Sequence, residues 1–73
     1  MFFVYIVWML DLEKVTKLRK KLGLSQEAAA KLAGFSGRSY WNNIETGRVA
    51  DPQLSTIEAI ATALGVKAKD LLK

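Results

Sequence analysis

Ser25-Gln26-Glu27-Ala28-Ala29-Ala30-Lys31-Leu32-Ala33-Gly34-Phe35-Ser36-Gly37-Arg38-Ser39-Tyr40-Trp41-Asn42-Asn43-Ile44-Glu45-Thr46-Gly47 is the stretch whose reading decides the fold. It spells a helix, a tight turn and a second helix lying across the first. Ser25 is a good N-cap, because its hydroxyl accepts from an orphan amide of the first helical turn. Ala30 and Ala33 share one helix face, and their small size lets another backbone come close. Gly34 suits the left-handed conformation that ends a helix without Cβ strain. Ser36 offers a fresh cap, and Trp41 with Ile44 makes an i, i+3 apolar seam on the next helix. Off that seam stand Arg38, Ser39, Tyr40, Asn42 and Asn43, an inventory suited to reading base edges.

Working outward, Asp11 is placed to cap a first helix over about 12–22, with Leu12, Val15, Leu18 and Leu22 inward and Gly23 stopping it. The second helix is expected near 26–33 and the third near 38–46. A loop around Gly47–Pro52 follows, in which Asp51-Pro52 is a natural helix start. A fourth helix over about 54–64 would set Leu54, Ile57, Ile60, Ala61 and Leu64 on one side and end at Gly65. A last short turn near 68–72 would drop Leu71 and Leu72 onto the core. Five short helices in this order predict a compact all-α domain over residues 11–73.

The ordered set of residues also resembles a known family. Residues 15–72 are similar to the Cro/repressor-type helix-turn-helix domains of phage and bacterial regulators. The resemblance rests on Val15, Leu18-Arg19, Gly23-Leu24-Ser25-Gln26, Ala30, Ala33-Gly34, Ile44-Glu45, Gly47, Pro52, Leu54, Ile57, Ile60-Ala61, Ala63-Leu64-Gly65-Val66 and Leu71-Leu72. It implies a five-helix domain of lambda-repressor-like type, with the third helix docked in the major groove of an operator. Arg38 then stands at the start of that helix, where a guanidinium bridges guanine O6 and N7. Asn43 would face the groove and pair with adenine, with Ser39, Tyr40 and Asn42 as further base-side contacts. Gln26 and Ser36 would touch phosphate on one side of the helix, and Thr46 and Arg48 on the other. Arg19 and Glu45 would form an ion pair linking the first helix to the end of the third. There is one departure: Phe35 to Trp41 is one residue longer than the family pattern, with Gly37 the extra residue.

Met1–Leu10 does not belong to the helical pattern. It is an unbroken apolar and aromatic arm, too short for a transmembrane span, which needs about 20 apolar residues. It lacks the basic start and small-residue cleavage site of a signal peptide. Its β-branched and aromatic density reads as a strand. The helical remainder offers no partner strand, so Phe3, Tyr5, Ile6, Val7 and Trp8 are expected to join two copies in a homodimer. The alternatives are a segment packed over its own core, a loose tail, or an arm for a partner protein. An apolar stretch of this length is expected to be covered.

Composition bounds the function classes. The chain has 73 residues, no cysteine and no histidine, so thiolate chemistry is excluded and a zinc site would need an all-carboxylate shell. Lys plus Arg outnumber Asp plus Glu by 11 to 7, for a net charge of +4, which favours an anionic partner. Lys14, Lys17, Arg19, Lys20 and Lys21 cluster in the first helix. With Arg38 and Arg48 they supply a broad field for DNA. No nucleophile or second placed carboxylate accompanies Glu45, so an enzyme is not expected, nor a cofactor, metal or small-molecule substrate. The expectation is a double-stranded-DNA-binding regulator, most simply a phage-type repressor, working in the cytoplasm at the nucleoid. Its rivals are an antitoxin-like autoregulator whose residues 1–10 bind a partner protein, and an interaction module that does not bind DNA.

Overall fold

Asp11 opens the first helix, α1 (Leu12–Lys21), by accepting from the Lys14 amide at 3.2 Å. The computed structural model describes residues 10–49 and 52–73. Ser25 caps α2 (Gln26–Ala33) through its hydroxyl, which accepts from the Ala28 amide at 3.0 Å. Gly34 ends α2 at φ 79°, and the Phe35 amide closes the turn on the Ala30 carbonyl at 2.9 Å. The third helix, α3, spans Arg38–Glu45, and α4 spans Leu54–Leu64. Gly65 ends α4, again left-handed, at φ 71°.

The expected fifth helix is a single 3₁₀ turn, Ala68–Leu71. Its bonds reach back three residues, from Asp70 to Lys67 at 2.9 Å and from Leu72 to Lys69 at 3.4 Å. The described residues therefore hold four α-helices and no strand beyond an isolated antiparallel bridge, Leu10 to Leu72. Beside that bridge the Asp11 amide donates to the Leu71 carbonyl at 2.7 Å. Leu10, assigned by its sequence to the apolar arm, is a buried member of the core. The rest of the arm, including Phe3, Tyr5, Ile6, Val7 and Trp8, lies outside the described residues.

Trp41, Ile44, Ile57, Ile60, Leu71 and Val15 are the largest fully buried side chains. Ala29 and Ala30 are buried between them and let α2 lie close to its neighbours. Two residues depart from the expected inward stripe. Leu22 is 52% exposed, because α1 ends at Lys21 and Leu22 stands at its cap, ahead of the left-handed Gly23. Leu54 is 50% exposed as the first residue of α4, whose buried stripe begins at Ile57. Among the described residues, no helix is long and apolar enough to cross a membrane.

The turn between α2 and α3 absorbs its additional residue without disturbing the seam. Trp41 and Ile44 are both buried, while Tyr40 is half-buried and meets the Phe35 ring edge-on at 4.9 Å. Ser36 does not cap α3. The helix starts at Arg38, so the cap position falls on Gly37, which has no side chain to offer.

Candidate nucleic-acid interface

The outer face of α3 is built from what its inner face leaves over. Burying Trp41 and Ile44 turns Arg38, Ser39, Asn42 and Asn43 away from the core, with Arg38 and Ser39 exposed and the two asparagines half-buried. What fixes this helix against the others is Glu45. Its carboxylate accepts from Arg19 Nε at 2.6 Å and from Arg19 Nη2 at 3.2 Å, a two-pronged ion pair. Trp41 Nε1 adds a bond at 2.6 Å and Gln26 Nε2 one at 3.1 Å. The Arg19 guanidinium also donates to the Leu24 carbonyl at 2.9 Å, tying the turn before α2 into the same cluster. The pair is largely shielded, with side chains 12% and 6% exposed for Arg19 and Glu45.

Burial alone pushes the Glu45 carboxyl up. Hydrogen bonds from Arg19, Trp41 and Gln26, with the Arg19 charge, outweigh it and hold the group below its ordinary value. Glu45 is a charged brace at the root of the interface. The signal for Trp41 was in the sequence, since it precedes Glu45 by one helical turn.

Gln26 stands at the first turn of α2 with its side chain turned inward, on Glu45 and on Asn42 Oδ1 at 3.1 Å. Gln26 also lines, with Ser25, Glu27 and Arg38, an open cleft of about 450 Å³ between the amino ends of α2 and α3. Glu27 puts one negative charge into that cleft, a feature the sequence reading did not weigh. Ser36 is exposed on the turn beside it. At the other end of α3 the Thr46 hydroxyl turns back on the helix and donates to the Asn42 carbonyl at 2.9 Å. Arg48 is exposed there, its amide bonded to the Asn43 carbonyl at 2.9 Å. The structure thus brings Gln26 and Arg38 to one cleft and bonds Asn42 to Gln26, with Ser39 and Asn43 further round α3. Among the described residues, no group of three or more acidic residues is placed to hold a metal ion.

Comparison with known families decides what this arrangement is. The family described as Helix-turn-helix domain matches residues 13–72. The chain belongs to that family. The match spans all four α-helices of the domain bar the first residue of α1, and supports a DNA-binding module. No curated protein matches the chain.

Proposed function

We propose that this helix-turn-helix protein is a sequence-specific regulator of transcription of Cro or repressor type, with α3 in the major groove of its operator. The observation that carries the reading is the polar outer face of α3, Arg38, Ser39, Asn42 and Asn43, on a helix braced from behind by Glu45. The net charge of +4 adds attraction to the duplex. Arg38 reads guanine, and Ser39 and Asn43 complete the base-facing set. The protein acts as a homodimer joined through its apolar amino-terminal arm. Two copies of α3 then sit about 34–36 Å apart on a near-palindromic site. Repression follows from occupying an operator that overlaps a promoter.

Selection from random duplex DNA at near-physiological salt, followed by sequencing of what the full-length protein retains, tests this reading. Paired half-sites are the expected result. A single unpaired motif would remove the dimer and leave the arm for another partner. No enrichment would remove sequence-specific DNA reading altogether.

A further inference from the structure

A side-chain amide has two unlike ends, one donating and one accepting, and the end that faces outward decides what it can bind. At the cleft between α2 and α3 that choice begins with Glu45. Its ion-paired carboxylate offers acceptors only, so the Gln26 amide must turn Nε2 toward it, as the 3.1 Å bond to Oε1 records. The second hydrogen of the same nitrogen goes to Asn42 Oδ1 at 3.1 Å. Both Gln26 donors are consumed inside the protein, and what remains of its amide is Oε1, an acceptor that cannot bond a phosphate oxygen. Asn42 in turn has its oxygen held from the α2 side. Its Nδ2 makes no bond among the described residues, on a side chain that is only half-buried. Asn42 stands one turn along α3 from Arg38, which lines the same cleft.

We infer that the Gln26 side chain is a positioning group rather than a DNA contact: anchored on Glu45, it holds Asn42 with Nδ2 outward as the donor DNA meets. The inference rests on the DNA-reading function proposed above and reassigns the role that family resemblance gives Gln26. The group Asn42 takes is a hydrogen-bond acceptor of the duplex, either a phosphate oxygen or the acceptor edge of a purine.

A double-mutant cycle on the selected duplex, paired with side-chain amide NMR of the free protein, is the test. Gln26→Met keeps the side chain's length and removes its donors. Gln26→Met and Asn42→Ala should each weaken binding about tenfold, the scale of one hydrogen bond to a charged or well-placed acceptor. In the Asn42→Ala background, Gln26→Met should cost nothing further, because its effect passes through Asn42. A loss equal on every duplex identifies phosphate as the partner, and a loss confined to one base pair identifies a base. Additive losses would mean that Gln26 makes its own contact and would overturn the inference, as would a silent Gln26→Met.

The NMR arm needs neither a variant nor DNA. Both Gln26 Nε2 protons should exchange slowly and both Asn42 Nδ2 protons at the rate of a solvent-facing amide. The reverse pattern overturns the lock whatever the duplex measurements show. A wild-type protein that shows the lock and yet retains no duplex would overturn the inference through the DNA-reading function, leaving the Gln26–Asn42 arrangement as structure alone.

Discussion

Trp41 donates to Glu45 at 2.6 Å, so the largest buried side chain of the core and the carboxylate that braces the interface are one unit. Fold and DNA-facing surface meet in that bond. Arg19 completes it from α1. Removing Arg19 alone leaves a shielded carboxylate without its cation, and Arg19→Leu is expected to cost at most about 3–5 kcal/mol in urea unfolding. The double variant Arg19→Leu, Glu45→Leu should recover part of that loss, since no charge is then stranded. Trp41 and Gln26 still lack their acceptor, so recovery stops short of wild type. A double variant no better than Arg19→Leu would show that the charge is not what matters.

The lowered ionisation of Glu45 gives stability a definite dependence on pH. The folded carboxyl ionises below the unfolded value of about 4.3, so in that window the folded chain binds fewer protons. Its contribution is complete above the unfolded value and is lost as pH falls through the folded one. Urea midpoints followed by Trp41 fluorescence in a Trp8→Phe background should fall through this acid range. Glu45→Gln should flatten the fall, and an unchanged slope would mean that other carboxyls govern it.

The glycines on either side of the turn should respond in opposite directions. Gly34 sits at φ 79° with nothing within 4 Å of a Cβ, so Gly34→Ala meets backbone strain alone. It should cost about 1–2 kcal/mol. Gly37 is extended, at φ 179°, in open space, and occupies the uncapped start of α3. Gly37→Ser should supply the missing cap and stabilise by about 0.5–1 kcal/mol. Thermal melts resolve both, since 1 kcal/mol moves the midpoint of a domain this size by about 4–8 °C.

Arg38→Ala should remove discrimination at one base pair, by about 1–3 kcal/mol, while non-specific duplex affinity falls less. Competition between the selected duplex and a scrambled one measures the difference. Equal losses on both would reduce Arg38 to a phosphate contact.

Removing residues 1–9 should convert the proposed dimer to a monomer and leave the helical signal intact. The cut stops short of Leu10 because that residue is buried in the core and bridged to Leu72. Sedimentation and circular dichroism follow the two properties separately. An unfolded truncation would place the arm in its own domain's core.

The helices were legible in the sequence where local chemistry sets their ends. Ser25, Gly34 and Gly65 act on neighbours within a turn, and α2 and α4 fall on their expected bounds. Trp41 and Ile44 were legible as a seam, because a spacing of three residues needs no knowledge of the partner. Leu22 and Leu54 were not, since a periodic stripe does not say where its cover stops. Ser36 was misread by one position, the width of the additional residue in the turn. Gln26 was the hardest case. Its amide suits a phosphate as well as Asn42 and Glu45, and only the approach of α3 to α2 brings the internal partners within 3.1 Å.

The cluster around Glu45 divides the outer surface of α2 and α3 into two kinds of position. Gln26 and Asn42 are bonded into the scaffold, and a change at either is answered at Glu45, Arg19 and Trp41. Ser39 is exposed and Asn43 half-buried, and neither side chain bonds into that cluster. Drift toward a new operator thus has an inexpensive route through Ser39, Asn43 and Arg38, while the other positions can move only together. A lineage descended from this protein would diversify its targets through those three side chains and keep the Gln26–Asn42 pair nearly unchanged.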